Sequence, residues 1–173
     1  STLKMMLTAD CVDWPVVLEQ PGDPLEGKDF SFGGGACVIP RYLYNHFPNI
    51  DITTVEIDGS IIQLAEKYFE LQQDARFRVV QCDALKFIFE AAQKAIQYEV
   101  IIFDVNGGED GSPSPPNIFV SKDFIGRLQK CLSPDGILIY HMINREPPPV
   151  FQDIFNPIYI HNKEIVTVLY CRN

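Results

Sequence analysis

Three acidic residues stand at the carboxyl ends of successive apolar runs: Glu56 after ITTV, Asp83 after VVQC and Asp104 after VIIF. Each type suits a different task. The two oxygens of Glu56 can accept from a vicinal diol such as that of a ribose, and Asp83 can accept from the exocyclic amine of an adenine. Beside them, the backbone amide of Ala84 can meet an adenine ring nitrogen and Ile57 can pack on the base. Asp104 can accept a hydrogen bond from a cationic amine, carried by either a cofactor or a substrate. Taken singly, each acid is equally a loop cap or a solvated carboxylate. Taken in order behind the Gly33-Gly34-Gly35 turn, they describe a site for an adenosine-type cofactor whose charged part lies near the glycines.

These residues need strands that end together and helices that return the chain. ACVIPRYLYNHF after Gly35 reads as a helix with Pro40 in its first turn, where a missing N–H is tolerated. Val38, Ile39 and Tyr42 are expected to face the sheet. Residues 52–57 read as a β-branched strand, and the following helix carries Ile61, Leu64, Ala65 and Tyr68 on one face behind a Ser60/Gln63 capping box. Residues 76–81 supply another strand and 85–95 a helix with Leu85, Ile88, Phe89 and Ala92 inward. The nearly continuous apolar run 98–103 suits a parallel strand covered on both faces.

A Gly/Pro/Ser-rich loop, VNGGEDGSPSPPN, follows Asp104 and is expected to carry substrate contacts. Phe124, Ile125, Leu128, Cys131 and Leu132 form the next helical stripe, and Pro134-Asp135-Gly136 turns into a strand over 137–141. Residues 151–155 read as a short helix, and 158–161 with 165–171 as a terminal antiparallel hairpin. Upstream, only 30–32 offers a strand before the glycines. Residues 1–29, with short apolar runs at 3–7 and 16–18 around Trp14, are read as an N-terminal hairpin or lid, and 30–173 as the main domain.

The 173 residues, 46% hydrophobic, suit one core rather than two. A net charge of -9 argues against a broad phosphate-binding surface and is compatible with a cationic partner, such as a polyamine or a lysine-rich protein segment. No run approaches the length of a membrane span, and the first ten residues lack the features of a secretory signal. The five cysteines lack CxxC spacing, which favours a reducing compartment, so a cytoplasmic location is expected. No zinc cluster, strict GxGxxG or GxSxG elbow is present, and no metal site is expected.

The run GGGACVIPRYLYNHFPNIDITTVEIDGSIIQLAEKYF, with VVQCDALKFI, YEVIIFDV and DFIGRLQKCLSPDGILI, resembles the spermidine-synthase-like branch of the class I S-adenosylmethionine-dependent methyltransferases. Within that branch it is most similar to the C-terminal domain of protein methyltransferases that modify a translation elongation factor. The resemblance spans Gly33 to Cys171. It implies an α/β, Rossmann-like sheet of seven strands, mostly parallel with a C-terminal antiparallel hairpin. It also implies S-adenosylmethionine as cofactor, held by Gly33, Gly34, Gly35, Glu56, Ile57, Asp83, Ala84 and Asp104, with Asp104 at the reactive centre as the catalytic candidate.

One departure separates the activities of that branch. Its aminopropyltransferases carry a second acid shortly after the strand-end aspartate, whereas this chain reads Asp104-Val105-Asn106-Gly107. An amide cannot take a proton as a carboxylate does, which disfavours polyamine synthesis. The expected activity is methyl transfer to a protein amine, a lysine or an N-terminus, with a basic protein such as a translation elongation factor as partner. Aminopropyl transfer is the first alternative and a non-catalytic interaction domain on the same fold the second. Tyr98 is read as packing and His141 as a core or hydrogen-bonding residue at the active edge. A homo-oligomer and a place in a larger multidomain protein are both left open.

Overall fold

The computed structural model describes residues 3–9, 37–105, 115–143, 146–155, 158–163 and 166–173. Seven strands form one sheet in the order β3-β2-β1-β4-β5-β7-β6. Strand β1 (Leu3–Ala9) pairs in parallel with both β2 (Ile50–Glu56) and β4 (Tyr98–Asp104), β2 with β3 (Phe77–Gln81), and β4 with β5 (Leu132–Ile143). The last two strands, β6 (Ile158–Lys163) and β7 (Val166–Arg172), make an antiparallel hairpin that joins through β7 to β5. The expected mixed sheet with a terminal hairpin is therefore present.

The amino-terminal assignment needs correcting. Leu3–Ala9 is not half of a hairpin or lid but an interior strand of the sheet, hydrogen-bonded on both sides. Its run LKMMLTA lacks a decisive period, and only its long-range pairing identifies it. The expected strand at 30–32, the run at 16–18 and Trp14 all lie outside the described residues.

Helices α1 (Val38–His46) and α2 (Gly59–Tyr68) pack on one face of the sheet. Helices α3 (Ala84–Gln93), α4 (Lys122–Lys130) and α5 (Val150–Ile154) pack on the other. The alternation of strand side chains divides the core accordingly. Ile101 and Phe103 of β4, with Leu138, Tyr140 and Met142 of β5, join Ile88, Phe124, Ile125, Leu128 and Phe151. Ile102 and Ile139 turn the opposite way, toward Cys37, Leu43 and Ala65 with Ile50, Ile52 and Phe77.

Local details depart from the sequence reading where tertiary contacts outweigh pattern. Pro40 does sit in the first turn of α1. The expected Ile39 and Tyr42 pack half-buried against the core, and Leu43, which the sequence reading did not name, is fully buried beside them. Helix α2 is capped by Asp58, whose Oδ1 accepts the Ser60 amide at 2.8 Å and the Ser60 hydroxyl at 2.6 Å, instead of by a Ser60/Gln63 box. These bonds, the hydroxyl first, hold the Asp58 carboxyl below the usual carboxylate range. Of the stripe assigned to α2 only Ala65 is fully buried; Ile61 is half-buried, and Leu64 and Tyr68 are exposed. In α3 the buried residues are Ile88 and Ala91, while Leu85 and Phe89 are exposed.

The β5 strand starts earlier than expected, at Leu132, and its pairing with β4 is irregular between Tyr98 and Val100. Asp135 there takes a left-handed φ of 63°. A Cβ on Gly136 would stand 2.8 Å from the Ser133 carbonyl oxygen, so the turn requires glycine. Beyond it, β5 runs in register beside β4 to the carboxyl edge.

Candidate functional site at the carboxyl edge of the sheet

The strand order reverses at β1: the chain crosses from β1 to β2 and β3 on one side, then jumps to β4 on the other. In open α/β sheets the crevice beyond the carboxyl ends at such a switch point is where ligands bind. The register brings the predicted residues to that edge. Thr8 pairs with Val55 and Ala9 with Asp104, while Glu56 pairs with Gln81 and Phe103 with Tyr140. One row therefore runs Gln81, Glu56, Ala9, Asp104 and His141 across five strands. Glu56 and Asp104 are separated by two strand spacings, about 10 Å, which suits one extended ligand touching both.

Parity fixes the face as well as the edge. Ile50 and Ile52 of β2, Ile102 of β4 and Ile139 of β5 all face α1 and α2. Glu56, Asp104 and His141 lie at even spacings from them, hence on the same side. The start of α1 meets this row. Cys37, its N-cap, is 7% exposed and adopts a left-handed φ of 59°. Burial, and then the nearby Glu56 charge, push its thiol up to about 11. Cys37 follows Gly35 by two positions in the sequence, and the start of α1 lies near Glu56. Gly33, Gly34 and Gly35 themselves, like Asn106, lie outside the described residues.

Each remaining acid has a defined setting. The Oε1 of the half-buried Glu56 accepts the Asp58 backbone amide at 2.8 Å, while the Glu56 carbonyl accepts the Cys82 amide at 2.9 Å and ties β2 to the end of β3. Ile57, 65% exposed, presents apolar surface next to Glu56. Asp83 is exposed and caps α3, its Oδ1 accepting the Leu85 amide at 2.7 Å, and Ala84 begins that helix. Asp104 differs from both. It is 1% exposed and its Oδ1 lies 2.8 Å from Nδ1 of His141, itself 1% exposed.

The chemistry of this donor set fits an adenosine-type group: a strand-end carboxylate for a diol, an exposed isoleucine for a base, and a carboxylate with an adjacent amide for an adenine edge. Cys37 and the Asp104–His141 contact were not legible as site features. A cysteine just after three glycines, and a histidine within the apolar run ILIYHMI, were the only signals.

The loop after β4 returns through a 3-10 turn, Asn117–Val120, fixed by the Tyr140 hydroxyl donating to the Phe119 carbonyl at 2.9 Å. Phe103 stacks on Tyr140 at 4.8 Å between ring centroids and meets Phe119 and Phe124 at 5.3 Å each. This aromatic group anchors the far end of the expected substrate loop against the sheet. A separate cavity of about 480 Å³, lined by Arg41, Tyr44, Asn45, Glu70, Gln72 and Phe77, lies at the amino end of β3 and includes none of the predicted site residues. Among the described residues no group of three His, Cys, Asp or Glu could hold a metal ion, and no helix is long and apolar enough to cross a membrane.

Comparison with known proteins adds four findings. The spermine/spermidine synthase domain model matches residues 28–153. The "eEF1A lysine and N-terminal methyltransferase homolog" of Drosophila pseudoobscura pseudoobscura is 32% identical over 151 residues, covering 82% of this chain and 22% of that protein. The polyamine aminopropyltransferase of Vibrio vulnificus is 32% identical over 107 residues, 62% of this chain and 34% of that enzyme. Among solved structures, human methyltransferase-like protein 13 in complex with SAH superposes with a TM-score of 0.79 at 24% identity, over 99% of this chain and 72% of that one. That likeness shows the fold. The chain spans about a fifth of the length of the lysine and N-terminal methyltransferase relatives it matches.

Proposed function

Since the chain belongs to the spermine/spermidine synthase domain family, we propose that within this family it acts as a methyltransferase, moving a methyl group from S-adenosylmethionine to a protein amine. The observation that carries this reading is the row of polar residues at the switch point, Glu56 to Asp104, joined by Cys37 at the start of α1. The relatives named for lysine and N-terminal methylation of eEF1A support the acceptor class, a lysine or an N-terminus of a basic protein such as an elongation factor. A cytoplasmic location goes with such a target.

When bound, S-adenosylmethionine supplies an electrophilic methyl group on a sulfonium centre. The protein's part is to hold and align. Glu56 accepts the ribose hydroxyls, Asp83 and the Ala84 amide meet the adenine edge, and Ile57 packs on the base. The turn at Gly33, Gly34 and Gly35 lies by the charged end of the cofactor. Asp104 accepts a hydrogen bond from a cationic amine at the reactive end. An attacking lysine must first give its ammonium proton to solvent or base. Its lone pair then forms the new N–C bond as the S–C bond breaks. Alignment and exclusion of water, rather than a covalent enzyme intermediate, do the work.

Aminopropyl transfer is the second reading, favoured by the family's own description and by the Vibrio relative. Asn106 speaks against it, since the stretch Asp104-Val105-Asn106-Gly107 holds no second carboxylate. Calorimetric titration separates the readings. Micromolar binding of S-adenosylmethionine and S-adenosylhomocysteine, with discrimination against decarboxylated S-adenosylmethionine, is the expected result. Preference for the decarboxylated compound would replace methyl transfer by aminopropyl transfer, and binding of none would point to a non-catalytic interaction domain.

A further inference from the structure

We infer that His141 is a positioning residue: through Nδ1 it fixes the Asp104 carboxylate in the orientation that receives a cationic amine at the switch point. The inference rests on the methyl-transfer reading above and adds to it a residue outside the expected set. His141 interrupts the apolar run Ile137 to Ile143 near the carboxyl end of β5. The Phe103–Tyr140 pairing places it beside Asp104, and its parity with Ile139 places it on the α1 side, where Asp104 also lies through Ile102. Both side chains are 1% exposed, with Nδ1 and Oδ1 2.8 Å apart.

In this assignment Nδ1 carries the ring proton and donates it, since an ionised carboxylate only accepts hydrogen bonds. With water excluded, turning the carboxylate away would forfeit a charge-assisted bond that nothing in bulk solvent replaces. The contact with His141 engages Oδ1 of that carboxylate. An arriving ammonium thus meets an acceptor whose plane is already set, and the orienting cost is met on folding rather than on binding. The amine belongs either to the cofactor's amino acid end or to the acceptor protein. An asparagine at 141 can place an amide N–H near the position of Nδ1, whereas a leucine fills the space without a donor.

A double-mutant cycle on the whole chain tests this, read on both S-adenosylhomocysteine affinity and methylation of an amine-bearing protein. His141→Leu is expected to lower one of these by roughly thirty-fold. His141→Asn should recover most of the loss, and His141→Leu should add little once Asp104→Asn is present. Loss of affinity assigns the amine to the cofactor. Loss of kcat/KM for the acceptor at unchanged affinity assigns it to the acceptor. Full retention of both quantities in His141→Leu, or equal losses in the two backgrounds, overturns the inference. So does an imidazole ¹⁵N spectrum of the unaltered protein in which Nδ1 of His141 carries no proton, a readout that does not depend on the variants folding. If the unaltered protein binds S-adenosylhomocysteine but methylates no amine, the functional reading falls instead. The cycle is then decided on affinity alone, where an unchanged value overturns the inference too.

Discussion

Replacing Glu56 by glutamine separates its place in the fold from its place in the site. Its Oε1 accepts the Asp58 amide at 2.8 Å, and Asp58 in turn caps α2. Glutamine keeps an oxygen for that amide, so the turn and the helix start survive. What it loses is the negative charge and one of two acceptor oxygens for the ribose diol. Hydrogen bonds to charged groups contribute about 1.5–3 kcal/mol and neutral ones about 0.5–1.5. Losing one charged bond and weakening the other therefore costs about 2.5–4.5 kcal/mol, roughly a 70- to 2,000-fold rise in Kd. Titration of S-adenosylhomocysteine into both proteins, with thermal unfolding as the control, measures it. A Kd unchanged within about threefold, or a loss that follows a general fall in Tm, would refute the placement of Glu56 at the ribose. The same substitution should lower the Cys37 thiol's pKa from its raised value, because the second cause of the elevation is the Glu56 charge.

Asp83 offers the complementary separation: Asp83→Asn keeps the α3 cap at Leu85 while removing the anionic acceptor, so affinity should fall by roughly tenfold with Tm unchanged. Asp83→Ala should lower both, its Tm by about 2–4 °C for the lost cap; a cofactor affinity untouched by either change removes Asp83 from the site. Asp104→Asn, close in shape, should reduce methylation far more than thermal stability, and full turnover would remove Asp104 from the reactive end. Stability should also decline in alkali. Burial raises the thiols of Cys37 and Cys131 to about 11 and that of Cys171 to about 12, from an ordinary 9.0. Between those limits the unfolded chain binds fewer protons than the folded one, so stability is full below pH 9 and is lost as pH rises through the folded values. The loss is on the order of 3 kcal/mol for Cys37 and 4 kcal/mol for Cys171. Thermal unfolding under reducing conditions from neutral pH upward checks it, with Cys171→Ala expected to flatten the slope and a flat profile in the unaltered protein overturning it.

Much of the architecture follows from local pattern alone. Apolar runs ending in Glu56, in Cys82-Asp83 and in Asp104 have the length and β-branched content of buried strands, and their order with the intervening helices implies a parallel sheet whose acids share an edge. That reading holds for β2, β3 and β4 and for the terminal hairpin, because strand periodicity and turn chemistry are properties of a few neighbouring residues. The family resemblance, too, rests on residues legible in the chain.

Tertiary structure alone decided the rest. No local signal makes LKMMLTA an interior strand; its role comes from pairing with residues more than forty positions away on one side and more than ninety on the other. A short apolar run without alternation does not by itself announce a strand. The burial of Asp104, its contact with His141 thirty-seven positions later, and the approach of Cys37 to Glu56 depend on register and side-chain parity between strands. A one-residue slip in β5 would turn His141 to the opposite face and dissolve the pair. The sequence by itself determined which groups could act on an amine and a nucleoside; the fold decided which of them stand together, and on which side of the sheet.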